Sequence, residues 1–169
     1  MTFVAKILGS NSAIPAHNRH HSSQLLTIGS TPVLVDCGEC TQLQLSRYGV
    51  KSSRIRHIFI SHLHGDHYLG LMGLLSTMHL YGRTAPISVH APATLRPILD
   101  LHFKASKTTL RYELNFVTLE PDRQEMILDE STFTVQAFPL QHGIECYGFL
   151  FREKPHQRNM IVEKIPPEL

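Results

Sequence analysis

The segment Ser61-His62-Leu63-His64-Gly65-Asp66-His67 limits what this chain can fold into more than any other stretch. Ahead of it, Arg56–Ser61 carries the continuous apolar run Ile58-Phe59-Ile60, the pattern of a strand buried on both faces. Behind it, Leu69, Met72, Leu75 and Met78 repeat every three residues, which predicts a helix of about three turns ending near Gly82. Three imidazoles and a carboxylate therefore sit at a strand-to-helix junction. In a locally extended segment His62 and His64 project to the same side. Gly65 permits a sharp turn, and Asp66 and His67 enter from the start of the helix. One short segment then offers two ligands to one ion and two to a neighbour, and zinc takes such N and O donors at roughly 2.0–2.2 Å. Paired metals ~3.5–4 Å apart activate water and stabilise a leaving oxygen in phosphoryl transfer.

The flanking sequence predicts a layered α/β domain. Phe3–Leu8, Ser23–Ile28 and Val33-Leu34-Val35-Asp36 read as strands, the last two joined by the turn residues Gly29-Ser30-Thr31-Pro32 as an antiparallel hairpin. From Thr41 the period becomes helical through Leu43, Leu45 and Tyr48, closed by Gly49. Pro86–His90 reads as a strand and Thr94–Phe103 as a helix opened by Ala91-Pro92. Asn115–Leu119, Met126–Leu128, Thr132–Phe138 and Cys146–Phe151 complete the strands.

Composition bears on the metal question at one point. The chain has 12 histidines in 169 residues, and imidazole is the commonest metal ligand. A net charge of +2 argues against a polybasic nucleic-acid tail. The three cysteines are too few for a secreted disulfide scaffold. The N-terminal apolar run is too short for a signal peptide, and no stretch is long enough for a membrane span. A cytoplasmic protein with no membrane partner is the expectation.

Not every histidine is a candidate ligand. His57, His79, His90, His102 and His156 stand alone in the sequence and are expected to be ordinary core or surface residues. Asp36-Cys37-Gly38-Glu39-Cys40 imitates a thiol-redox site, where a helix N-terminus lowers a thiol pKa. As a zinc knuckle it lacks a second cysteine pair. The better expectation is small, half-buried residues at a tight turn, with Asp36 as an acceptor for a ligand histidine.

His62-x-His64-x-Asp66-His67 after Ile58–Ile60 resembles the signature of the metallo-β-lactamase superfamily. Within it, the chain is similar to the ribonuclease Z family, endonucleases that trim the 3′ end of precursor tRNA. The segments carrying the narrower likeness are Leu8-Gly-Ser-Asn-Ser-Ala-Ile-Pro15, Val35-Asp-Cys-Gly-Glu-Cys-Thr-Gln42 and the stretch from Ile60 to Leu75. Pro139-Leu-Gln-His142 with Tyr147-Gly-Phe149 is similar to the family's next metal-binding motif.

The resemblance implies an αββα sandwich with a dinuclear zinc site at one edge, and a C-terminal half lying beyond this chain. His62, His64 and His142 would hold one zinc, and Asp66 with His67 the other. Asp66 would also accept a proton from the attacking water. The family's bridging aspartate and final histidine come from that other half. Its Pro-x-Lys-x-Arg-Asn loop, which contacts RNA, corresponds to Pro15-Ala-His17-Asn-Arg19-His20. Arg19 matches there, while His17 and His20 replace the lysine and asparagine. The likeness implies precursor tRNA as substrate and a homodimer, and it divides the chain into residues 1–151 of the domain and 152–169 as an arm or disordered tail. Two alternatives remain open: a hydrolase of the same superfamily acting on another phosphodiester or ester, and an inactive metal- or RNA-binding fragment.

Overall fold

The computed structural model describes residues 2–14 and 16–155. Strands β1 (Phe3–Gly9), β2 (Ser23–Ile28) and β3 (Thr31–Val35) form an antiparallel meander. Helix α1 (Thr41–Arg47) and a 3₁₀ turn (Ser52–Arg54) lead to β4 (His57–Phe59), which lies parallel to β3. A single helical turn, α2 (Gly65–Tyr68), precedes α3 (Gly70–Leu80), β5 (Ile87–Ala91), α4 (Leu95–Ala105) and β6 (Leu114–Thr118). The six strands make one sheet in chain order. A second, antiparallel sheet holds β7 (Glu125–Asp129), β8 (Phe133–Pro139) and β9 (Tyr147–Glu153).

Side-chain alternation explains the layering. Leu34, Ile58, Ile60 and Val89 pack with Leu45, Leu71, Leu74, Leu75, Met78, Leu95 and Leu99 of α1, α3 and α4. From the opposite face of the same strands, Val33 and Phe59 pack on Phe133 and Val135, with Val35, Phe149 and Phe151 alongside. A strand sandwiched this way reads as an unbroken apolar run, which is why Ile58-Phe59-Ile60 carries no polar alternation. The described residues thus build three layers, helix on sheet on sheet.

The structure moves the buried stripe of α3. Leu71, Leu74, Leu75 and Met78 are buried, whereas Leu69 is 47% exposed at the junction of α2 and α3. Leu69 keeps helical backbone at the junction, and a strict three-residue repeat drifts off one face of a 3.6-residue helix, so Leu69 falls roughly half a turn away from Met78. Strand β9 runs to Glu153, two residues past the expected boundary. Beyond residue 155 the proposed arm or tail, and His156 with it, lies outside the described residues. Among the described residues no helix is long and apolar enough to cross a membrane.

Two of the histidines expected to be solitary form a buried pair between the sheets. The Nδ1 of His57 lies 3.2 Å from Nε2 of His90, and Nε2 of His57 lies 3.2 Å from a carboxylate oxygen of Glu130 in the β7–β8 turn. His90 stacks on Phe59, its partner across the parallel register, with centroids 4.5 Å apart. Burial, then the charge of neighbouring His57, pushes His90 down to about 3, and burial also lowers His57 against the pull of Glu130. The unfolded chain takes up a proton near pH 6.5 that the folded chain refuses. This stability is therefore complete above pH 6.5 and is lost as the pH falls from there towards 3. We expect His90→Phe, which keeps the stack, to flatten the fall of stability in this window by about 1.4 kcal/mol per pH unit. Denaturant titrations between pH 4 and pH 7 measure that slope.

Candidate metal centre

Four chain segments meet at the ends of β3, β4 and β8. The first is the loop after β4, which carries Ser61, His62 and His64. Its position is fixed by backbone bonds: the Ile60 N–H donates to His90 O at 2.9 Å, and the Tyr147 N–H to Ser61 O at 2.9 Å. An antiparallel bridge joins His62 to Cys146. The second segment is α2, which carries Asp66 and His67. The third is the β8–β9 loop, which carries His142. The fourth is the turn after β3, where Asp36 adopts a left-handed φ of 56° and leaves the strand expected to include it.

The three histidines His62, His64 and His142 converge. Nε2 of His62 lies 3.1 Å from Nδ1 of His64, and Nε2 of His142 lies 3.2 Å from that same atom. All three donor atoms fall within 4.8 Å of one another. A tetrahedral ion with Zn–N bonds near 2.05 Å sets its ligand nitrogens roughly 3.3 Å apart. Two edges of the triangle match that figure, while the set as a whole reaches 4.8 Å, so side-chain movement would have to close the third edge around a zinc ion. His62 is buried, while His64 and His142 are exposed, which leaves the cluster open to solvent on one side. Burial and the surrounding imidazoles His67, His64 and His142 push His62 down to about 4 against the pull of Asp36, so it is neutral at neutral pH.

His67 and Asp66 lie beside this triangle. Nδ1 of His67 meets Asp36 Oδ2 at 2.6 Å, and its Nε2 lies 3.4 Å from Asp66 Oδ2. Burial opposes protonation of His67, but the hydrogen bond and charge of Asp36, with Asp66 adding, raise it above its ordinary value. The Asp66 side chain is 8% exposed. Asp36 is a hub. Its carboxylate accepts from Ser22 Oγ at 3.0 Å and from the Ser61 N–H and Oγ at 2.9 Å each, besides His67. The roles of Ser22 and Ser61 are invisible in the sequence, since they arise from contacts 14 and 25 residues from Asp36.

The cysteine block is a backbone clamp. The Cys37 N–H donates to His67 O at 2.7 Å, and the Gly70 N–H donates to Cys37 O at 2.9 Å. A Cβ on Gly38 would stand 2.2 Å from the Asp66 carbonyl oxygen, so only glycine lets this turn press against α2. Burial, with the charge of Asp36, pushes the Cys37 thiol up to about 12 despite its bond to Thr41. Cys40 is exposed. We expect a thiol reagent at pH 8 to modify Cys40 in the folded chain and to reach Cys37 only after denaturation. Fast labelling of native Cys37 would contradict the burial argument.

Arg19 is not brought into the histidine cluster. It ends a tight turn in which His17 and Asn18 both have positive φ and the Arg19 N–H donates to Ala16 O at 3.0 Å. Its side chain lines a small pocket of about 150 Å³ with His20, His21, Glu39 and Cys40. The much larger cavity, about 1050 Å³ between α1 and α3, is lined by none of the candidate ligands.

A two-sheet α/β sandwich with imidazole and carboxylate donors gathered at one edge defines a metallo-β-lactamase-fold protein. Among solved structures the short form of human tRNase Z matches with a TM-score of 0.80 and 34% identity, over 89% of this chain and 64% of that one. YhfI from Bacillus subtilis, a metallo-β-lactamase-fold protein, matches at a TM-score of 0.67 and 22% identity, over 87% of this chain and 57% of that one, which bears on the fold alone. The chain belongs to the family described as Anti-Pycsar protein Apyc1, whose model matches residues 3–161. It is similar to the ribonuclease Z of Cytophaga hutchinsonii, with 49% identity across the whole chain and 54% of that protein. The chain spans about half the length of the curated relatives it matches.

Proposed function

We propose that the chain carries the metal-binding half of a zinc-dependent endoribonuclease that removes the 3′ trailer from precursor tRNA. The observation that carries this is the three-histidine triangle, with nitrogens 3.1 and 3.2 Å apart, next to a largely buried aspartate. His62, His64 and His142 would hold one zinc, and Asp66 with His67 a second. Bound zinc supplies Lewis acidity, lowering the pKa of water and stabilising charge on the phosphodiester.

The chain's own residues do the rest. Asp66 accepts the proton of the attacking water and so acts as the catalytic base. Asp36 orients His67 by holding its Nδ1. Arg19, exposed on its turn, contacts an RNA phosphate and positions the substrate without reading its sequence. Precursor tRNA as substrate places the protein in the cytoplasm, and a second copy is its proposed partner.

The test is zinc per chain after chelator washing and reloading, followed by cleavage of a precursor tRNA by the full-length protein. About one retained equivalent, lost in His62→Ala/His64→Ala, together with trailer release, supports the reading. A chain that takes up no zinc overturns it. A second reading keeps the chemistry and changes the substrate to a smaller phosphodiester. It is favoured by the family description, which names an anti-Pycsar protein and not a tRNA nuclease. Cleavage of small phosphodiesters with no action on precursor tRNA would select it.

A further inference from the structure

Ser61 sits between the carboxylate hub and the histidine triangle. Its Oγ lies 2.9 Å from Asp36 Oδ1, 3.0 Å from His62 Nδ1 and 3.3 Å from His67 Nδ1. A hydroxyl has one hydrogen to give and two lone pairs to receive. An ionised carboxylate has no hydrogen, so the Ser61 hydrogen goes to Asp36. Only lone pairs then face His62, and that contact is a hydrogen bond only when Nδ1 of His62 carries the proton. In a neutral imidazole the other nitrogen, Nε2, is then bare. Nε2 is the atom that faces His64.

We propose that Ser61 is a positioning residue that sets the tautomer of His62, transmitting the fixed charge of Asp36 to a ring that Asp36 does not touch. His67 reaches the same tautomer by a direct route, its Nδ1 donating to Asp36 Oδ2 at 2.6 Å. One carboxylate thus prepares two histidines, one through a hydroxyl and one directly. The hydroxyl is held for this task, since the Ser61 N–H donates to Asp36 Oδ1 and Ser61 O accepts from the Tyr147 N–H. Without the hydroxyl, His62 is free to take the Nε2–H form, and binding must first move that proton.

The inference rests on the proposed metal site, but its first readout needs no metal. Long-range ¹H–¹⁵N spectra of the metal-free chain at pH 8 report each histidine's tautomer. We expect Nδ1–H for both His62 and His67 in the native chain. Ser61→Ala should release His62 alone, leaving His67 as an internal control, and Ser61→Thr should restore it. Zinc affinity, measured by chelator competition with zinc alone, should fall about 10–100-fold in Ser61→Ala and recover in Ser61→Thr. An Nε2–H form of His62 in the native chain overturns the proposal, and so does unchanged zinc affinity in Ser61→Ala. If that variant does not fold, the native tautomers and Ser61→Thr still decide the matter. A native chain with the expected tautomers that binds no zinc would instead sink the metal-site reading.

Discussion

Replacing His64 with alanine should abolish metal retention and hydrolysis together. His64 Nδ1 is the vertex shared by both short edges of the triangle, at 3.1 Å from His62 and 3.2 Å from His142. Removing it leaves two nitrogens and no short edge, so the remaining donors are not preorganised. Loss of a partner behind a ligand already costs 10–100-fold in affinity. Loss of the central ligand should exceed about 100-fold, enough to empty the site in a chelator wash. Elemental analysis of the washed protein measures it. A His64→Ala chain that keeps a full equivalent of zinc would mean the cluster is not the site.

Asp66→Asn should separate chemistry from binding. The substitution keeps the shape of a side chain that is 8% exposed and beside His67, while removing its ability to take a proton. A positioned base contributes roughly 10²–10⁴ in rate, so under the proposed function trailer cleavage by the full-length protein should fall by that factor. Precursor tRNA affinity, read by filter binding at fixed salt, should change by a small factor only. Zinc content is measured alongside, because Asp66 is also a proposed ligand. Equal losses of rate and affinity at unchanged zinc would assign Asp66 to substrate contact and not to proton transfer.

Much of this architecture is legible in the sequence because it is local. The run Ile58-Phe59-Ile60, the histidine segment and the following helix occupy consecutive positions, and each has its own period. The αββ layering follows from strands that are apolar on both faces. His142 is different. It lies 78 residues from His64, and no spacing rule joins them, so only the family likeness singles it out. The hub around Asp36 is hidden for the same reason, since Ser22 and Ser61 are unremarkable residues until the β3 turn brings them together. His57 and His90 mislead in the opposite way. Each looks solitary, and only the parallel register of β4 and β5, which sets His57 opposite Ser88 and His90 opposite Phe59, makes them diagonal neighbours on one face.

The attachment of the β8–β9 loop to the histidine segment has a kinetic consequence. The contact of His142 with its partners depends on the docked second sheet, where the Tyr147 N–H meets Ser61 O across a separation of 86 residues, the difference between 147 and 61. Closing so long a loop costs entropy that no local contact returns in advance. A nascent chain halted before β8 would hold His62 and His64 but not the third arm of the triangle. If the triangle holds zinc as proposed, tight capture would be a late event in folding, and the ion would act as an inspector that recognises only molecules whose two sheets have already met.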